Sequence, residues 1–471
     1  MSEERYNIRH LARIVLQAET PIAVGSGEKD VETDARVIKD VNGLPYIPAT
    51  SIAGVLRHAM GESEESNTSE VWGYQLKGSK SAGKGSRLIF TGANLVDADG
   101  KVVDGILLEQ NAFLSRYHSL PIRQHAKINH KGVTEDGGKF DEEIVFKGSR
   151  FCFEVEMLAM GSNPKSDYFK ALLSHIASET LRIGGGTRSG FGEMRVVSCK
   201  TRTLTFPDGL KEYIEKSSSL SDDSFWVDVD DIIPKGADKK DFVKETLAIT
   251  PLDFFLFGSG HSDDDADMTP VSESCVVWKG NYKGEFENNN ILIPATSVKG
   301  ALSHRVAYHY NLLKGIFSDS KDVKIEDHVG KKNFAVRVLF GNEGEGTKGG
   351  ATRGNILISD IIERKGNQPD KLVNHVAIDR FTGGAIDGAL FTEKVTDEHD
   401  RKFYLNVIVD RQNVKAIAGD DASSVFQALD AALNDLCHGL LPLGGGVNRG
   451  NGVFEGERTA EDFFTKKGKE D

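Results

Sequence analysis

The sequence predicts an α+β protein of ferredoxin-like type, written twice in tandem with long insertions. Two observations carry this. Six blocks recur in the same order in both halves, and each half reads as strand, helix, several strands, helix, strand. The clearest block is Ile-Pro-Ala-Thr-Ser, at residues 47–51 and again at residues 293–297, 246 residues further on.

Taken in order, Thr20-Pro21 leads to Gly25-Ser26-Gly27, and Thr250-Pro251 leads to Gly258-Ser259-Gly260. After the Pro-Ala-Thr-Ser block, "EVWGYQL" (70–76) answers to "RVLFGNEG" (337–344), and "GSRLIFTGANL" (85–95) to "RGNILISDIIE" (353–363). "RQHAKINHKGVT" (123–134) then matches "VNHVAIDRFTGG" (373–384), and "LRIGGGTRSGFGEMRV" (181–196) matches "LPLGGGVNRGNGVFEG" (441–456). Chance does not preserve such an order, so the chain is a diverged tandem duplication. Residues 207–241 are polar, rich in Ser, Asp and Lys, and without a clear period, as a linker is. The division is therefore residues 1–210 as domain one, 211–240 as linker and 241–471 as domain two.

Within each half, "HLARIVLQAETPIAV" and "VKETLAITPLDFFLF" read as opening strands. Thr50 or Ser51 is placed to cap a helix with apolar Ile52, Val55, Leu56 and Met60, and Thr296 or Ser297 to cap its counterpart. "YFKALLSHIAS" and "VFQALDAALNDLCHGL" read as the second, amphipathic helices.

Composition excludes several classes. No apolar run approaches the roughly 20 residues that span a bilayer, and Met1-Ser2-Glu3-Glu4-Arg5 does not read as a signal peptide, so a cytoplasmic protein without membrane contact is expected. Cys152, Cys199, Cys275 and Cys437 lie far apart with no C-x-x-C pair, which argues against a zinc site or a disulfide framework. The net charge of −13 opposes nucleic-acid binding unless a local basic face exists.

Two glycine blocks are candidates for chemistry. Gly184, Gly185 and Gly186, and Gly444, Gly445 and Gly446, permit a phosphate or a backbone to come close, and Arg188 and Arg449 follow them at spacings that differ by one residue. The plainer reading is two tight turns. Neither block is a P-loop, because no Gly-Lys-(Ser/Thr) follows.

These blocks together resemble the RAMP superfamily and, more narrowly, the backbone subunits of type III CRISPR effector complexes. "NHVAIDRFTGGAIDGALFTEKV" (374–395) is the most specific match, and two fused units are similar to the type III-D arrangement. The resemblance implies RRM-related palms that bind guide RNA, each with a β-hairpin thumb interrupting the guide–target duplex. The thumbs would lie within residues 128–145 and 378–395. It implies RNA contacts at Ser51, Arg57, His125, Gly184, Gly185, Gly186 and Arg188 in domain one. In domain two it implies them at Lys299, His375, Arg380, Gly444, Gly445, Gly446 and Arg449, with the helix starts at Ser51 and Ser297 facing guide phosphates.

The resemblance also implies a cutting residue. Family members that cleave target RNA carry a loop Asp ahead of the Pro block, and "TDARVIKDVNGLPYIP" supplies Asp34 with Val37, Lys39 and Asp40 behind it. Asp34 would hold a divalent cation, Mg2+ or Mn2+, through water and orient the target's 2′-hydroxyl, giving 2′,3′-cyclic phosphate and 5′-hydroxyl ends. Read alone, Asp34 is a solvated carboxylate beside Asp30 and Glu32. In domain two the loop is longer and Asp267 is the best-matching position, while Asp263, Asp264 and Asp265 read as a soluble acidic loop. Expected partners are a guide RNA, single-stranded target RNA, a large signalling subunit and other backbone proteins. The alternatives are a non-catalytic RNA-binding scaffold, a guide-processing ribonuclease using His, and a nucleotide enzyme built on the glycine loops.

Overall fold

The computed structural model describes residues 6–28, 33–61, 70–75, 83–109, 111–226, 242–280, 283–320, 323–342 and 351–466. Asp30 and Glu32 lie outside them, as does residue range 227–240 of the expected linker. The first repeat comprises β1 (Ile8–Ala18), α1 (Ala49–Ala59), β2 (Leu88–Phe90), β3 (Ile122–Ile128), β4 (Thr134–Glu143), β5 (Arg150–Ala159), α2 (Ser166–Ile176), β6 (Met194–Thr205) and α3 (Leu210–Glu215). The second comprises β7 (Phe242–Pro251), β8 (Ser272–Lys279), β9 (Lys283–Ile293), α4 (Ala295–Leu313), β10 (Ile356–Ile358), β11 (Lys371–His375), β12 (Phe391–Val395), β13 (Phe403–Asp410), α5 (Ala422–Cys437) and β14 (Phe454–Glu457).

The sheets have the same plan. The first runs β2-β5-β1-β6 and the second β10-β13-β7-β14, with neighbours antiparallel. This is the ferredoxin-like order, its two helices packed on one face, so both repeats are α+β units of that type. Alternation along β1 sends Ile14 and Leu16 into a core with Ile52 and Leu56 of α1 and Leu172 and Leu173 of α2. The second core joins Leu247 and Ile249 to Val298 and Leu302 of α4 and Leu429 and Leu433 of α5. All four cysteines are buried thiols, and burial pushes Cys199 up to about 11. Among the described residues no helix is long and apolar enough to cross a membrane.

Several expectations need correction. The two repeated helices begin one residue before the expected caps, at Ala49 and Ala295, with Pro48 and Pro294 as N-cap residues and no side-chain cap. Proline's fixed φ starts the turn, so Thr50, Ser51, Thr296 and Ser297 are inside the helix. The described part of the expected linker is packed on domain one. Leu220 is buried against Val96 and Cys152, and Trp226 against Leu11 and Leu204. Its polar residues are used as well, because Asp223 pairs with Arg13 and Lys200, and Lys216 with Glu154. This segment covers much of the sheet face opposite the helices. The thumbs also begin earlier than expected, at Ile122 and Lys371, since each hairpin includes its outgoing strand.

The long loop of domain two is a docking arm. Strands β8 and β9 pair as a hairpin, which inserts against domain one. Val276 joins the domain-one core and donates its N–H to the Lys147 carbonyl at 2.8 Å, and Trp278 Nε1 donates to the Gly148 carbonyl at 2.8 Å. Phe286 packs among Phe113, Tyr117 and Phe146, with ring centroids 5.0–5.7 Å away. An Arg/Lys-Asp pair is absent here because the chain makes a hairpin in place of the tight turn of residues 39–45.

Candidate functional site

The base of each thumb gathers the loop Asp and the repeated His on one returning strand. In domain one, the Asp34 N–H donates to Asp141 Oδ1 at 2.9 Å, and the Asp141 N–H donates back to Asp34 Oδ2 at 3.3 Å. On either side of Asp141, Phe140 stacks on His125 (centroids 4.8 Å apart, 15° between planes) and Glu142 Oε1 lies 3.0 Å from His125 Nε2. Behind Asp34, Lys39 pairs with Glu143 at 3.0 Å, and Asp40 Oδ1 accepts from the Asn42 and Leu44 N–H groups. These two residues shape the loop, and Asp34 is exposed on it.

Domain two repeats the arrangement. The Asp267 N–H donates to the Thr392 carbonyl at 2.9 Å, and the Thr392 N–H donates to Asp267 Oδ2 at 2.8 Å. Phe391 stacks on His375 (4.7 Å, 21°), and Glu393 Oε2 lies 2.8 Å from His375 Nε2. Glu393 is fully buried and its other oxygen accepts from Arg449 of the glycine block, so strand β12 ties together Asp267, His375 and Arg449. Domain one has no such arginine, because Ser189 occupies the corresponding turn position.

The acidic run of domain two has a structural account. Lys394 pairs with Asp263 and with Asp265 (3.0 Å), which holds the Asp263 carboxyl below its usual range and the Lys394 amine above its own. Asp263 Oδ1 also accepts from the N–H groups of Asp265 and Ala266, closing a turn.

The glycine blocks superpose in hydrogen bonding. Gly185 N–H donates to the Ala23 carbonyl and Gly445 N–H to that of Leu256, both at 2.6 Å, while Ser189 and Arg449 N–H groups donate to the Gly186 and Gly446 carbonyls. Both blocks share positive φ at their first and third glycines, with Gly184 at +98° and Gly444 at +87°. A Cβ on Gly184 would sit 2.7 Å from the Ala23 carbonyl oxygen, so the close approach allowed is to the chain's own backbone. This favours the plainer turn reading for the glycines themselves, and the turn sets the arginine. The one-residue offset of Arg188 has a consequence. Its Nε donates to the Gly354 carbonyl of domain two at 2.8 Å, and burial together with nearby Arg353 and Arg182 pushes it down to about 9.

The second helix start is closed by protein. Ala295 N–H donates to Asp360 Oδ1 at 2.7 Å, and Gly190 of domain one lies against both residues. Asp360 Oδ2 in turn accepts from Arg123 Nη1, and Arg123 Nε donates to Glu273 Oε1 at 2.8 Å. A buried carboxylate thus takes the first N–H of this helix, while the Ser297 N–H goes to the Pro294 carbonyl. In domain one Gly92 stands where Asp360 does, and Thr50 at the start of α1 is exposed. Ser51 is partly buried on the first turn of α1 and Lys299 on the second turn of α4, and Arg57 Nη2 reaches the Gly73 carbonyl at 3.2 Å. Arg380 is exposed at the thumb tip, beside Phe381, which is 99% exposed. The tip is built by Asp379, whose Oδ1 accepts from the Phe381 and Thr382 N–H groups.

Sequence reasoning missed Phe140, Glu142, Phe391, Glu393 and Phe381. The signal was present, since "KFDE" and "LFTE" each place Phe-x-Glu fifteen or sixteen residues after the repeated His.

No curated protein matches the sequence. The RAMP superfamily model matches residues 15–195 and 278–455, one region in each repeat and together well over half of the chain. That match supports a CRISPR-associated, RNA-binding subunit. The chain belongs to the RAMP superfamily, with two of its units in tandem.

Proposed function

We propose that the chain is a backbone subunit of a type III CRISPR ribonucleoprotein, of type III-D-like arrangement, that binds guide RNA and cleaves guide-paired target RNA. The observation that carries this reading is the twofold placement of a loop Asp, Asp34 and Asp267, on the returning strand of a projecting hairpin. Arg449 and His375 both bond Glu393, the residue after the Thr392 that holds Asp267, and Arg380 and Phe381 at the thumb tip are exposed. The net charge is no obstacle to this, because a few arginines and backbone N–H groups suffice for a non-specific phosphate track. Guide RNA, target single-stranded RNA, a large signalling subunit and further backbone subunits are its partners, in the cytoplasm.

Among the described residues no three acidic or histidine side chains form a cation cage, so a divalent cation would rest on two carboxylates of domain one and water. Asp34 and Asp141 lie side by side, two hard oxygen donors of the kind Mg2+ or Mn2+ takes largely through water. Such a cation would supply positive charge at the scissile phosphate. Asp34 orients the 2′-hydroxyl, which gives up its proton to water; the O2′–P bond forms as the P–O5′ bond breaks, and the departing 5′ oxygen takes up a proton from water. Lys394 already neutralises Asp263 and Asp265, so domain two relies on Asp267 with Arg449 and His375.

A scaffold reading has one observation in its favour: both carboxylates already accept a main-chain hydrogen bond. Analysis of target fragments from the reconstituted complex separates the two. Cyclic-phosphate 3′ ends that form with Mg2+ and vanish in EDTA support cleavage. An intact target under both conditions, with guide bound, supports the scaffold.

A further inference from the structure

Glu393 is fully buried, yet both side chains that bond it reach solvent. Its Oε2 lies 2.8 Å from His375 Nε2, and its Oε1 accepts from Arg449 Nη2. His375 is 21% exposed and Arg449 39%. A buried carboxylate is unfavourable unless its oxygens are paired, and among the described residues these are the only two side chains that pair it. The acid is thus a support beneath two outward-reaching groups. A carboxylate only accepts, so His375 gives its Nε2–H to Glu393, and in the neutral ring Nδ1 is then an acceptor.

Both groups are fixed a second time. Alternation along β12 puts Phe391 on the same strand face as Glu393. His375 stacks on the Phe391 ring, and the Arg449 guanidinium lies 5.7 Å from that ring's centroid. The Arg449 backbone is set by a single 3-10 turn, Val447–Arg449, between Gly446 at φ +68° and Gly450 at +95°. Among the described residues no partner takes Arg449 Nε or Nη1, or His375 Nδ1. Thr392, which holds Asp267, is the residue before Glu393 on the same strand. Domain one has no equivalent: Ser189 stands at the arginine's place, His125 is buried, and Glu142 keeps some exposure.

We propose that Glu393 is a positioning residue of the domain-two site, holding Arg449 for a phosphodiester and His375 Nδ1 for a ribose hydroxyl of the target strand. The guanidinium fork matches phosphate oxygens, and the imidazole lone pair accepts from an O–H that DNA lacks at the 2′ position. Orientation set before the RNA arrives matters for rate, since a misplacement of about 1 Å can cost about a hundredfold. The inference rests on the cleavage reading above and adds a difference between the two sites: only the domain-two cut depends on this support.

The test is single-turnover cleavage of labelled, guide-paired target RNA by the reconstituted complex carrying Glu393→Gln. An amide has one acceptor oxygen, so it can serve Arg449 or His375 but not both. The cut that Asp267→Ala removes is expected to slow by about tenfold to a hundredfold, with the domain-one cut and target affinity unchanged. Added to Arg449→Ala, Glu393→Gln should cost little more, because it acts through that arginine. An unchanged domain-two rate would overturn the inference. So would equal slowing of both cuts with a lower melting temperature, or fully additive losses, since each marks a structural role. If Glu393→Gln does not assemble, Arg449→Lys carries the test: the same loss is expected because the charge stays and the fork goes, and a full rate would overturn the inference. If Asp267→Ala removes no cut, the cleavage reading of domain two fails, and this inference with it.

Discussion

Arg123 lies between two carboxylates of the other domain, Glu273 and Asp360, with all three side chains at most 7% exposed. Burial pulls the Arg123 guanidinium down, but the two carboxylates outweigh it and hold it charged. Removing it leaves two buried acids unpaired, so Arg123→Leu is expected to cost about 3–5 kcal/mol in urea unfolding. A cost near zero would mean that the joint does not depend on the ion triad. One guanidinium cannot fully satisfy two carboxylates, and burial, with Asp360 nearby, raises the Glu273 carboxyl above its usual range. A raised folded pKa gives stability that is complete below the unfolded value of about 4.3 and is lost as pH rises through the folded value. Glu273→Gln, which cannot ionise, should therefore gain on wild type in melting temperature as pH rises from about 4.3 toward neutrality. A gap that stays flat with pH would contradict this. At this scale the sequence marked Arg449, His125 and His375 through repetition, but not Glu273 or Asp360, because their partner is far away in the chain.

The thumbs show what a hairpin gains from its turn chemistry. Asp379 builds the tip through its own side chain, and backbone hydrogen bonding holds the Asp379 carboxyl below its usual range. Phe381 is left outside the turn with no packing role. Phe381→Ala is thus expected to change folding stability by no more than about 0.5 kcal/mol. If the ring stacks on a base, the same change should weaken the complex's grip on guide-paired target by roughly 1–3 kcal/mol. Unchanged target affinity in a filter-binding assay would remove the tip from the RNA path. Strands and helices of the palms were legible because their apolar period is regular. The arm of residues 272–293 was not, because an acidic loop and a docking hairpin differ only in what Val276, Trp278 and Phe286 pack against. Residues 211–226 were misleading for a similar reason. Their Ser, Asp and Lys composition suits a tether, yet Leu220 and Trp226 pin them to the sheet.

The two units are joined by an aromatic arm, a buried ion triad and the Gly190 contact. Among the described residues none of the three has a counterpart on the outer faces of the chain, where Gly92 replaces Asp360 and Val373 replaces Arg123. The duplication was legible from block order alone, and the asymmetry between its copies was not. That asymmetry gives domain one an exposed helix start and paired acids, and gives domain two an arginine held by Glu393. A loop Asp in this frame is proposed to cut target RNA. Its direct test is the cut pattern of the reconstituted complex in Mg2+, comparing wild type with Asp34→Ala and Asp267→Ala at equal guide loading. Asp34→Ala is expected to abolish one specific cut, and Asp267→Ala a different one, with target binding retained. An unchanged cut pattern in both variants would contradict it.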